Sequence, residues 1–167
     1  MLDGADDMAR QAATDGYERL ASQQPALFNY VRAKLPESLD EKALALGHML
    51  GVAVLLVFEA FAGRALLGLS MDAVAAADAA LTADEELRRE DPLDELESED
   101  IVAMEQPALV AFLNEQVGLT LSQHAESIDV DHVAIVFRTI LVEILALSHA
   151  VVRPAGYPVG LGTEPMA

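Results

Sequence analysis

The chain has 167 residues and a formal net charge of −18, from 28 acidic and 10 basic side chains. This length predicts one domain with a substantial core. Hydrophobic residues make up 53% of the chain and aromatic residues 5%, so we expect an aliphatic core built from helix-favouring Ala and Leu. The absence of cysteine excludes disulfides, cysteine-ligated zinc, iron–sulfur clusters and thiolate catalysis. Direct nucleic-acid binding is not expected, because it needs clustered Lys and Arg.

The acidity of the chain has three competing interpretations. A charged surface that keeps an apolar protein soluble is the first, adaptation to a salty cytoplasm is the second, and a basic protein partner or mimicry of nucleic acid is the third. The N-terminal sequence is acidic and lacks the apolar run of a secretory signal, which predicts a cytoplasmic protein. The sequence leaves a homodimer open.

Four helices are predicted in the first half of the chain, over about 6–23, 25–35, 39–69 and 71–81. Ser38 and Glu41 form a capping box at the start of the third helix. Its stretch 43–58 is almost wholly apolar, and a helix that is apolar on all sides is expected inside a core. The stretch is shorter than the roughly 20 residues that a membrane span needs, so we predict a core helix and no membrane contact.

An acidic connector is predicted over 84–100, as short exposed helix that could dock a basic partner. Its candidate partner-binding residues are Asp84, Glu85, Glu86, Glu90, Asp94 and Glu95. Two more helices are predicted, over 107–118, ending near Gly118, and over 131–152, capped by Asp131. The domain is expected to span 1–153, followed by an irregular tail over 154–167, where Pro and Gly recur.

A weak internal repeat divides the chain into two halves, about 24–69 and 106–152. The sequence Gln-Pro-Ala-Leu begins at Gln24 and again at Gln106, and each copy leads through a short helix to a long apolar one. Within the long helices, His48 precedes Glu59 by the same spacing that separates His132 from Glu143. This order predicts a duplicated helical hairpin with pseudo-twofold symmetry, closed into a bundle.

The two His–Glu sets suggest a pair of buried polar contacts. A buried carboxylate without a partner is costly, so Glu59 and Glu143 should each find one. If the long helices pack antiparallel, one register places Glu59 beside His132 and Glu143 beside His48. Arg138 is a competing partner for Glu59. We interpret these residues as contacts that fix helix register, with acid–base catalysis as the alternative.

The sequence therefore predicts an all-α helical bundle with two long apolar core helices. No metal-ligand, cofactor or catalytic motif is present, so an enzyme is not the favoured class. The leading hypothesis is a non-enzymatic interaction or regulatory module that binds a protein partner. The alternatives are a binding protein for an apolar small molecule, supported by an aliphatic core with few aromatics, and an enzyme that uses a buried Glu/His pair.

Overall fold

The computed structural model describes residues 2–90 and 101–151 of the chain. These residues form an all-α bundle, as predicted. The helices are α1 (Leu2–Gln23), α2 (Pro25–Lys34), α3 (Glu41–Ala62), α4 (Met71–Glu90), α5 (Ile101–Glu105), α6 (Pro107–Gln123) and α7 (Val130–Ala150), with a 3₁₀ turn at Gly63–Ala65. The tail over 154–167 and the part of the acidic connector over 91–100 lie outside the described residues.

Helix α7 lies at the centre of the bundle. It packs against α2, α3, α4, α5 and α6, and its residues 139–147 are buried without a break. Such a helix needs apolar side chains on every face, which the sequence supplies. Phe58 is the only aromatic side chain among the buried core residues of the described chain, so the core is aliphatic as expected.

Helices α3 and α7 run in the same direction, so the antiparallel arrangement expected from the His–Glu spacing is wrong. Their N-terminal ends meet where the Asp40 backbone N–H donates to His132 Nδ1 at 2.8 Å. Their C-terminal ends meet where the Leu67 N–H donates to the Ala150 carbonyl at 3.0 Å, beside an antiparallel bridge between Leu66 and Val151. The N-terminal ends are therefore joined by a backbone-to-side-chain bond and the C-terminal ends by a backbone bond, and the hydrophobic pattern encodes neither.

The ends of the two long helices also differ from the prediction. Asp40, not Ser38, caps α3, by accepting from the Ala43 N–H at 3.1 Å. Asp129, not Asp131, caps α7. Helix α3 ends at Gly63, whose φ of 51° is a conformation that glycine adopts readily and other residues rarely do. After the 3₁₀ turn at Gly63–Ala65, the chain is extended at Leu66 and is not helical up to residue 70.

Two other helices are longer than predicted. Helix α4 continues to Glu90, past the end predicted at residue 81, and the Thr82 hydroxyl donates to the Asp78 carbonyl within the helix. Helix α6 passes through Gly118 and ends at Gln123. Gly118 has open space around it and the residue is exposed, so a helical conformation there meets no steric obstacle.

Helices α1–α3 and α5–α7 pack in corresponding ways. Helix α1 packs against α2 and α3, as α5 packs against α6 and α7. Helix α2 contacts α7, as α6 contacts α3. Helix α4 covers the surface formed by α2 and α7. The corresponding surface, formed by α6 and α3, is the one that positions the candidate site.

Candidate functional site

The two Gln-Pro-Ala-Leu segments form the same local structure. Each Pro occupies the first turn of a helix, and the preceding Gln is the N-cap, with φ −129° and ψ 61° at Gln24 and φ −136° and ψ 64° at Gln106. The Gln24 N–H donates to the Leu20 carbonyl, and the Gln106 N–H donates to the Val102 carbonyl. Pro lacks the N–H that a first helical turn leaves unbonded, which is why the motif begins a helix in both places.

The side chain of Gln24 holds the extended segment that follows α3. Its Nε2 donates to the Leu67 carbonyl at 2.9 Å, and its Oε1 accepts from the Leu69 N–H at 2.8 Å. Gln24 is only 2% exposed, so these two bonds satisfy an amide that would otherwise be costly to bury. The held segment leads directly into α4, which then covers α2 and α7.

The corresponding surface on α3 and α6 is an open apolar groove of about 640 Å³. Helices α3 and α6 form its walls, and the end of α7 closes one side. Its lining residues are Ala53, Val57, Phe58, Phe61, Ala62, Gln106, Ala108, Leu109, Phe112, Ser148 and Val151. Phe61 is 90% exposed, although it stands at the edge of a wall that is otherwise partly or fully buried. An exposed aromatic beside a concave apolar surface is typical of a binding site.

Gln106 lies at the groove with its amide free. Its side chain makes no hydrogen bond to any part of the chain that the structure describes, including the cap of its own helix. The residue is half-buried. The side chain therefore offers a hydrogen-bond donor and an acceptor to a ligand. Gln24, the N-cap of the other Gln-Pro-Ala-Leu helix, uses the same groups to hold a backbone segment.

The predicted pairing of Glu59 with His132 is wrong. Glu59 Oε2 accepts from Arg19 of α1 at 2.5 Å, while His132 Nδ1 accepts from the Asp40 N–H at the far end of the bundle. Because α3 and α7 run parallel, the N-terminal end of α7 lies far from the C-terminal end of α3. The sequence does not predict Arg19 as the partner, because it does not show which face of α1 meets α3.

The predicted pairing of Glu143 with His48 is also wrong. Glu143 is fully buried, yet neither carboxyl oxygen has a hydrogen-bond partner among the described residues. A Cβ built on Gly51 would lie 3.3 Å from Glu143 Oε2, so the absence of a side chain there leaves room for the carboxyl group. Burial raises the pKa of Glu143 well above its usual value, because desolvation favours the neutral form of the carboxyl group.

His48 is half-buried and contacts the ring of Tyr17, with ring centroids 5.1 Å apart. Burial lowers the pKa of His48, so the imidazole is neutral at pH 7. The structure thus places His48 against α1 and brings neither histidine to either glutamate. A Glu/His acid–base pair is not assembled.

Arg138 joins α7 to α4. Its guanidinium donates to Asp78 at 2.8 Å, to the Thr82 hydroxyl at 2.7 Å and to Glu85 at 3.1 Å. Burial and the charge of Asp78 also raise the pKa of Tyr30, which faces the same cluster from α2, to about 12. Arg138 is therefore a structural contact between helices, not a partner of Glu59.

The acidic residues expected to bind a partner are divided. Glu85 binds Arg138, and Asp84 is paired with Arg88 at 3.1 Å, so both are half-buried and engaged within the chain. Glu86 and Glu90 are exposed. Asp94 and Glu95 lie outside the described residues. Of the four described candidate acids, only Glu86 and Glu90 are therefore exposed and without a partner role inside the bundle.

Among the residues with described positions, no cluster of three or more His, Asp or Glu side chains could hold a metal ion. Helices α3 and α7 are long and apolar enough to cross a membrane. Of the most apolar 18 residues, 44% are buried within the bundle for the α3 segment and 67% for α7. Comparison with protein families, curated proteins and solved structures finds no match. The groove is therefore the candidate functional site.

The sequence reasoning missed the groove residues Phe61, Phe112 and Gln106 as a set. The repeated Gln-Pro-Ala-Leu motif was the available signal, since it marks Gln106 as the equivalent of a glutamine with a defined task. A second signal is the different sequence after each long helix. A further helix, over 71–81, is predicted after the first long helix, whereas an irregular tail is predicted after the second.

Proposed function

We propose that this chain is a non-enzymatic binding module whose apolar groove holds an apolar ligand. The observation that carries the proposal is the groove itself, about 640 Å³ and walled by Phe58, Leu109 and Phe112, with Phe61 almost fully exposed at its edge. This volume lies within the range of sites that enclose small ligands or the anchor side chains of a peptide. Burying such a surface is worth roughly 25 cal/mol for each Å² of apolar area removed from water.

An enzymatic function has less support. Glu143, the one fully buried carboxyl group among the described residues, has no hydrogen-bond partner there, and Glu59 is paired with Arg19. The acidic face of α4 is a weaker docking surface than the groove, because Asp84 and Glu85 already have partners within the chain.

The test uses the full chain and a neutral environment-sensitive dye, N-phenyl-1-naphthylamine, whose fluorescence rises in apolar surroundings. We expect saturable binding that Phe61→Asp weakens by about tenfold or more, since a charge at the groove edge must be desolvated by an apolar ligand. Leu87→Asp is the matched control, because Leu87 is 67% exposed on α4, away from the groove. Absence of saturable binding, or equal losses in the two variants, would contradict the proposal.

A further inference from the structure

The structure contains its own example of how such a surface is filled. On α2 and α7, the Gln24 amide binds the backbone of the segment 67–69, and α4 then lies across the surface. Helix α4 buries Val74, Ala77 and Leu81, which follow one another at the spacing i, i+3 and i+7 and so form one face of the helix. On α3 and α6, a second N-cap glutamine, Gln106, lies at the open apolar groove, which has no occupant among the described residues.

We infer that the groove binds a segment of a partner protein that has the form of residues 67–81: an extended stretch leading into an amphipathic helix. This inference rests on the proposed function and names the class of ligand. Gln106 binds the backbone of the extended stretch through one carbonyl and one N–H, and the groove takes the apolar face of the helix. Helix-in-groove recognition with anchors at i, i+3 and i+7 is a common mode of peptide binding.

A partner suits this position better than the chain's own following residues. Val151 lines the groove, and the sequence after it carries Pro154, Pro158 and Pro165 together with three glycines. Prolines and glycines at this density oppose helix formation. Residues 154–165 therefore do not favour a helical occupant, and we assign the occupant to a partner.

The charge of the partner helix is expected to be basic. Helix α4 carries acids that bind Arg138 of α7, but alignment of the two halves through His48 and His132 places Val54 at the corresponding position of α3. An acidic helix would find no arginine there. The net charge of −18 also attracts a basic segment and repels an acidic one over long range.

The test measures the binding of synthetic fluorescent peptides to the full chain by anisotropy. The probe carries Leu-Leu-Gly-Leu-Ser followed by an Ala/Lys-rich helix with Val, Ala and Leu at the spacing of Val74, Ala77 and Leu81. Two control peptides are used: one has the same composition with the apolar spacing destroyed, and the other has Glu in place of Lys. We expect both controls to bind at least about tenfold more weakly than the probe.

Protein variants separate the two parts of the inference. Gln106→Ala should lower the affinity for the probe peptide by about three- to tenfold, the loss expected for backbone hydrogen bonds. The helix start should stay intact, because the Gln106 side chain makes no cap bond. Phe61→Asp should weaken it more, and Leu87→Asp should have no effect. Equal binding of probe and spacing control, or no effect of Gln106→Ala, would overturn the inference.

The dye and the peptides together distinguish the two proposals. If the dye binds at Phe61 but the probe peptide neither binds nor displaces it, the peptide inference fails and the proposed function stands. If neither the dye nor the probe peptide binds, both the proposed function and the peptide inference fail. Self-association of the chain that the probe does not reverse, with protection of Phe61, would identify a second copy as the occupant and contradict the inference.

Discussion

Phe61 and Leu145 occupy corresponding positions in α3 and α7 when the two halves are aligned through His48 and His132. Phe61 is 90% exposed, whereas Leu145 is fully buried. Helix α7 is enclosed by α4 and four other helices, whereas Phe61 lies beside the groove between α3 and α6, which no described helix covers. The α2–α7 surface is thus the closed side of the bundle, and the groove between α3 and α6 is the open side.

The largest difference between the two sides is expected in their contribution to stability. Leu81→Ala removes a fully buried α4 side chain from the closed side, at a cost of about 2–5 kcal/mol in the free energy of unfolding. Phe61→Ala, on the open side, should change that free energy by less than about 0.5 kcal/mol. Urea denaturation of both variants measures the contrast. A large loss for Phe61→Ala would mean that the ring is packed and the groove is closed in solution.

A second contrast lies between Glu143, buried without a partner, and Glu59, paired with Arg19. Glu143→Met should raise the free energy of unfolding at pH 7 by about 1–3 kcal/mol, since it removes an unsatisfied buried polar group. Glu59→Met is the control and should change it by less than about 1 kcal/mol, because its ion pair is partly solvated. Destabilisation by Glu143→Met would show that the carboxyl group has a partner.

The same residue makes stability depend on pH. Burial raises the pKa of Glu143 in the folded state above its usual 4.5, so above that pH the folded chain holds one more proton than the unfolded chain. The free energy of unfolding should then fall by about 1.4 kcal/mol for each pH unit from this group, until the pH passes the folded-state pKa. Glu143→Gln should remove this part of the slope. Parallel curves for the wild type and Glu143→Gln would contradict a buried neutral carboxyl group.

The smallest effect concerns how α4 is held on the closed side. Arg138→Met removes hydrogen bonds to Asp78, Thr82 and Glu85, but the Arg138 side chain is about one-third exposed and solvent screens the charges. We expect a loss of about 1 kcal/mol. Hydrogen exchange should quicken in α4 and stay unchanged in α6. Equal changes in both helices would show that Arg138 acts on the whole bundle.

The sequence predicted the helical class, the helix starts at Pro25 and Pro107 and the apolar core, because these depend on local propensity and hydrophobic pattern. It did not predict the direction of α3 relative to α7. Helices that are apolar on every face pack equally well in either direction by pattern alone, and the backbone contacts of Leu67 and His132 that decide it join distant parts of the chain.

The candidate site could be predicted only in part. The repeated motif pointed to Gln106, but the bonds that show what a glutamine does there are made by Gln24 to Leu67 and Leu69, far away in sequence. The exposure of Phe61 depends on which surface α4 covers, and this is a tertiary choice. The predicted helix over 39–69 includes Gly63, although a glycine at the end of an apolar run is also a signal for a C-cap.

The central claim is that the α3–α6 surface is open and binds a ligand, whereas the α2–α7 surface is closed. The alanines of the two Gln-Pro-Ala-Leu motifs offer a matched pair, because Ala108 is exposed in the groove, Ala26 is packed against the core and the chain has no native cysteine. Maleimide labelling of Ala26→Cys and Ala108→Cys compares the two surfaces directly. We predict fast labelling at residue 108 that the probe peptide slows, and slow labelling at residue 26 that the peptide does not change. Equal labelling rates at the two sites, or no protection of residue 108, would contradict the account.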